Sequence, residues 1–243
     1  MKKLKYTLAI IMFPMLVFSQ QMPHYSLYML NDVIINPSLI STKTDNQIAL
    51  MVRDQWTGFE GAPKTQSISY YNVEHQKFGR GIRIVNDNTG PISMLSGTVS
   101  GSYLIPIENN NNFSVGASAN ILQYKIENSN IILENDGVID PAMNGGLTDK
   151  VIGNSASLGF NYFSDKFNIG ASIINILNSN LNLSNTGVEN SLVNHYYFNA
   201  AYNFNTSEGM IISPSILFKK VGASNIQMDI NLKTSLNSTI WAG

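Results

Sequence analysis

The sequence predicts an all-β protein, an antiparallel transmembrane β-barrel of the outer-membrane kind. Three observations lead there. From residue 47 onward, segments of about ten residues alternate apolar with small uncharged side chains, as barrel strands in lipid do, and breaks of Asn, Asp, Gly and Pro separate them. Charged residues make up 13% of the 243-residue chain, about half the usual share of a soluble domain. The N-terminus reads as a secretory signal, and no later apolar run is long enough to cross a bilayer as a helix.

The signal peptide is read over residues 1–19. Lys2, Lys3 and Lys5 form its positive start, and residues 6–18 form an apolar run too short for a membrane span. Val17 and Ser19 stand at the −3 and −1 positions of a cut before Gln20. Residues 20–46 are expected to form an N-terminal arm, irregular or short-helical, packed on or inside the main body. Tyr25, Leu27, Tyr28, Leu30, Val33 and Ile34 keep neither the period of a strand nor that of a helix, and Asn36-Pro37 marks a turn.

Residues 47–243 are expected to form the barrel domain. Its strands are placed at 47–55, 65–74, 78–87, 92–105, 112–126, 154–164, 166–177, 193–204, 210–220 and 226–236, with another starting at Ile240. In 113–121 one face is Phe113, Val115, Ala117, Ala119 and Ile121; the other is Ser114, Gly116, Ser118 and Asn120. The same split sets Ala156, Leu158, Phe160 and Tyr162 apart in one later segment, and Tyr196, Phe198, Ala200, Tyr202 and Phe204 in another. A water-soluble sandwich would carry Lys, Glu and Thr on its outer faces instead.

Aromatic residues gather near strand ends: Tyr70, Tyr71, Tyr103, Tyr124, Tyr162, Phe163, Tyr196, Tyr197, Phe204 and Trp241. They are read as interfacial belts. Tight reversals are expected at 164–166 and 205–209, and long Asn-rich connections at 127–153 and 178–192, short on one side of the barrel and long on the other. The 127–153 connection is the one expected to enter or cover the lumen. The chain stops at Gly243 just as a strand begins. Closed barrels tolerate no open edge in lipid. Either this barrel closes in an unusual way or, the reading favoured here, its last strands are missing from this sequence.

The most informative stretch is 53–65, R-D-Q-W-T-G-F-E-G-A-P-K-T. Gly58, Gly61 and Pro63 supply turn geometry. Trp56 and Phe59 are large rings that a plain hairpin tip does not use. They predict a connector that folds back and packs, or one at a boundary between water and something apolar. A second turn, Asn86-Asp87-Asn88-Thr89-Gly90-Pro91, follows the run G-R-G-I-R-I-V at 79–85. Arg80 and Arg83 differ by three and so face opposite sides of a strand; at least one is expected in the lumen or at a rim, because charge facing lipid is costly.

These two stretches, together with 25–37 (Y-S-L-Y-M-L-N-D-V-I-I-N-P), resemble the PorP/SprF family. Its members are outer-membrane proteins associated with type IX secretion and gliding motility in Bacteroidetes. The three motifs occur in the family's order, and the resemblance runs from about residue 21 to the end of the chain. It implies a non-enzymatic outer-membrane component needed for export or surface attachment of specific partner proteins. The implied partners are outer-membrane lipid, secreted adhesin-type surface proteins, and periplasmic lipoproteins of the secretion and gliding machinery. The candidate partner-binding or structural residues are Arg53, Gln55, Trp56, Gly58, Phe59, Gly61, Pro63, Thr65, Asn86, Asp87, Gly90 and Pro91. The 53–65 connector and the 86–91 turn are expected to form one docking surface. The alternative function is a porin-like or hydrophobic-solute channel, which would need an open lumen with charged rings at a constriction.

Other chemistries find little support in the sequence. The chain has no cysteine, which excludes disulfides, thiolate metal sites and a lipid-modified N-terminal Cys. A net charge of −1 gives no footprint for nucleic acid. His24, His75 and His195 lie far apart, without the neighbours of a metal pair. Asp136, Asp140, Asn144 and Asp149 do not match a calcium-loop spacing. No nucleophile elbow, P-loop or dinucleotide fingerprint occurs. No cofactor and no catalytic residue is expected.

Overall fold

The computed structural model of the chain describes residues 31–127, 148–177, 179–181, 191–206, 209–236 and 240–243. Twelve strands form one antiparallel sheet: β1 (Gln47–Asp54), β2 (Lys64–Glu74), β3 (Phe78–Thr89), β4 (Ile92–Pro106), β5 (Asn112–Glu127), β6 (Thr148–Phe163), β7 (Phe167–Ile174), β8 (His195–Tyr202), β9 (Phe204–Asn205), β10 (Met210–Val221), β11 (Gln227–Leu236) and β12 (Ile240–Ala242). Strands adjacent in sequence are adjacent in the sheet, except that β8 pairs directly with β10 and the two-residue β9 sits beside β10. Among the described residues β1 pairs only with β2 and β12 only with β11, so the sheet is not closed. No helix among them is long and apolar enough to cross a membrane.

The strands fall where the alternation places them, with two shifts. β6 begins at Thr148 and not at 154, because 148–153 joins the β5 ladder from Glu127↔Thr148 to Leu122↔Gly153. The polar Thr148, Asp149 and Lys150 disguise that extension in the sequence. β7 ends at Ile174 and not at 177, because Asn175 takes φ 62°, a left-handed conformation that breaks extended pairing.

Register sorts the side chains into two unlike faces. Outward, apolar residues pair strand after strand: Leu50↔Ile68, Ile68↔Ile84, Ile82↔Val99, Val99↔Ala119 and Ala117↔Leu158. They are exposed; Leu50 is 75% and Val99 57% accessible. Inward, Ser69, Thr98, Ser114, Ser155, Ser157 and Ser172 are buried. A soluble sheet buries its apolar face, and this one does the reverse. Residues of β2, β3, β4, β5, β6 and β7 line a single cavity of about 30 Å³, among them Tyr71, Arg83, Thr98, Asn120, Ser157 and Ile174. A flat sheet would spread those six strands over about 24 Å, so the sheet is curled around its polar face.

What fills the curl is the N-terminal arm. It forms two short 3-10 turns, Asp32–Ile34 and Pro37–Thr42. Asn36-Pro37, expected as a turn, starts the second of them: Asn36 Oδ1 accepts from the Ser38 backbone N–H at 3.0 Å and from Ser38 Oγ at 2.7 Å, and Pro37 takes the first position. Val33, Leu39 and Ile40 of the arm cluster with Tyr71 of β2. Burying Val33, Ile34, Ile35, Leu39 and Ile40 contributes on the order of 10 kcal/mol as an upper bound, so the arm is a constituent of the fold.

The aromatics divide between the two faces. Phe78↔Tyr103, Phe113↔Tyr162 and Phe167↔Tyr202 pair across strands at the end carrying the 75–77, 107–111 and 164–166 turns. Ring pairs Tyr162–Phe167 and Tyr202–Phe204 extend this outer girdle, with centroids 5.5 and 4.7 Å apart. Tyr71, Tyr124 and Tyr197 face inward instead. Tyr71 donates to Asn31 Oδ1 at 3.0 Å, Tyr124 packs on Leu122, Leu181 and Leu192, and Tyr197 lies against the buried His195. Near-end placement in sequence does not distinguish these from the girdle; parity along each strand does.

Candidate functional site

Antiparallel pairing puts the ends of β1, β3, β5, β7 and β10 on one rim. The connections 55–63, 90–91, 128–147, 175–194 and 222–226 therefore leave from that rim, and the short turns leave from the other. The 53–65 stretch and the 86–91 turn meet there. Gly90 N–H donates to Gly61 O at 2.8 Å, and Thr65 Oγ1 donates to Asp87 Oδ1. Gln55 N–H reaches Pro63 O at 3.0 Å and Phe59 N–H reaches Trp56 O at 3.1 Å, closing the connector on itself. Gly58, Gly61 and Gly90 have φ of 99°, 72° and 55°, where L side chains are strained. A Cβ on Gly61 would also press on Gly90 Cα at 3.2 Å.

Trp56 and Phe59 are 70% and 77% exposed. Of the two expectations for the connector, packing back on the body is therefore not what the rings do. Arg53 and Asn86 sit in the strands that carry the connector and the turn, paired with Thr65 and Gln66, and Pro91 follows Gly90 at the β3–β4 reversal. The twelve sequence-selected residues thus gather at one rim.

Deeper in the curl lies a second constellation that sequence reasoning missed. Gly79, Ser102, Gly116, Gly159 and Ser172 are cross-strand partners in turn on β3, β4, β5, β6 and β7, forming one row across the inner face. The arm lies along this row. Ser41 N–H donates to Ser102 Oγ at 2.8 Å, Asn36 Nδ2 donates to Phe160 O at 3.0 Å, and Ser172 Oγ donates to Ile35 O. A Cβ on Gly79 would meet Ile40 at 2.7 Å, one on Gly116 would meet Ser38 N at 2.5 Å, and one on Gly159 would overlap Asn36. The available signal was the G-R-G run, since glycine inside a strand often marks close backbone approach.

The charged groups avoid the middle of the outer wall. Arg80 faces out near the short-turn end and pairs with Glu74 at 2.6 Å, while Arg83 points inward and lines the small cavity. Lys219 and Asp229 pair at 2.6 Å, with side chains only 13% and 25% exposed. His75 is exposed in a short turn and His195 is buried at the opposite end of the strands. Among the described residues no three His, Asp or Glu side chains gather as a metal site. Asp136, Asp140 and Asn144, the signal reading and the middle of the 127–153 connection lie outside the described residues.

Compared with known families, residues 17–243 match a model described as type IX secretion system membrane protein PorP/SprF. Among curated proteins no sequence matches the chain.

Proposed function

The chain belongs to the PorP/SprF family of type IX secretion system membrane proteins, and from that premise we propose that it acts in the outer membrane as a non-enzymatic component needed to export or hold particular surface proteins. The observation that carries the membrane part is the inverted sheet: large aliphatic and aromatic side chains exposed on the outside, hydroxyls and amides buried inside. The strand architecture and the N-terminal signal reading support outer-membrane placement.

The docking surface in this reading is the rim made by 53–65 and 86–91. The Gly61–Gly90 hydrogen bond, three left-handed glycines and the Thr65–Asp87 contact hold it in one shape. Trp56 and Phe59 project from it as exposed rings. Aromatic anchors on a preordered frame give affinity without an ordering cost. The partners we assign to this rim are adhesin-type secreted proteins, and periplasmic lipoproteins of the secretion and gliding machinery are assigned to the short-turn end.

The test is removal of the gene followed by a census of surface proteins. Loss of one class of secreted adhesins, with other surface proteins unchanged, is the expected result. An unchanged census would contradict the secretion role.

A further inference from the structure

We propose that residues 31–43 are a resident plug: they close the barrel lumen near its short-turn end, so that the protein is a sealed body and not a passage for ions or small solutes. The proposal rests on the wall being a membrane barrel and holds whichever partner the rim takes.

Five successive strands contribute Gly79, Ser102, Gly116, Gly159 and Ser172 to one row at one depth. Small inner side chains leave a water-filled lumen unless something else supplies the volume. Here the arm supplies it, and the glycines allow its backbone to approach where no Cβ fits. Ile40 is fully buried against this wall.

The plug also holds its own shape. Lys43 Nζ and Asp32 Oδ1 pair at 2.6 Å, joining the two ends of the arm. Asn36 caps the turn between them. None of the strand ladders uses an arm residue, so the arm adds no strand to the wall and lies against it as an insert.

Two spaces border the arm. One space of about 30 Å³ lies between Val33, Ile34 and Pro37 and the inner faces of β2–β7. The other, about 410 Å³, lies between Asp32, Ile35 and Leu39 and the inner faces of β7, β8, β10 and β11. Each is walled on one side by the arm.

The chain has no cysteine, so a single introduced one is a unique reporter. Ser157→Cys places it in the small cavity, and His75→Cys places it in an exposed turn. With the full-length protein in lipid vesicles, a membrane-impermeant maleimide should label Ser157→Cys about tenfold or more slowly than His75→Cys, and the intact protein should carry no steady current across a planar bilayer. Gly159→Val, which crowds Asn36 off its seat, should speed labelling of Ser157→Cys and open a steady current. Equal labelling of the two cysteines, or steady current from the intact protein, would overturn the plug whether or not Gly159→Val folds. A folded Gly159→Val protein that stays dark to labelling and current would overturn it as well.

Discussion

Gly116 of β5 faces the backbone of Ser38 with no room for one more carbon: a Cβ there would lie 2.5 Å from the Ser38 nitrogen and 2.6 Å from the Pro37 carbonyl carbon. Both neighbours are backbone, so neither can swing aside. Gly116→Ala should therefore lower stability by about 1–3 kcal/mol, the usual range for overpacking, read as an earlier unfolding transition in detergent. Gly101→Ala, on the outer face of the neighbouring strand with nothing within 4 Å, should leave the transition within about 0.5 kcal/mol.

Asn36 is 1% exposed and serves two partners at once, the Ser38 cap and the Phe160 carbonyl. Asn36→Ala removes both and strands buried groups, which costs about 1–3 kcal/mol. Asn36→Ser can restore the cap but not the reach to Phe160, and its unfolding transition should fall between wild type and Asn36→Ala.

The outer wall gives a sharper contrast. Val99 lies mid-strand on β4, 57% exposed, between Ile82 and Ala119. In a water-soluble sheet Val99→Arg would be nearly neutral. In a bilayer it should cost about 2–4 kcal/mol, measured by folding into vesicles against denaturant.

How far the sequence shows this fold depends on which contrast writes it. The alternation at 113–121 is visible because lipid and lumen select different side chains, and it places β5 nearly to the residue. The arm could be placed inside or on the body but not along a line. Gly79, Ser102, Gly116, Gly159 and Ser172 come from five separate segments, and only the register of four ladders brings them together. The rim lies between these cases. Both stretches stand out through Gly, Pro and Asx residues, but the Gly61–Gly90 bond that joins them is a property of the folded β2–β3 pair.

At that rim, Trp56→Ala and Phe59→Ala remove rings that are more than two-thirds exposed. The unfolding transition should move by no more than about 0.5 kcal/mol, while display of the secreted partner falls. Full display with both rings gone would remove the rim from the docking account, leaving the barrel and the plug as they are.

The central claim is that the apolar face of this sheet meets lipid while its small polar face turns inward, and β5 tests it most directly. In a chain without cysteine, single cysteines at Ala117, Ser118, Ala119 and Asn120 can each carry a fluorophore, with a quencher confined to the hydrocarbon of the bilayer. The account predicts a period of two: strong quenching at 117 and 119, weak quenching at 118 and 120. Uniform quenching along the strand, or the opposite parity, would contradict it.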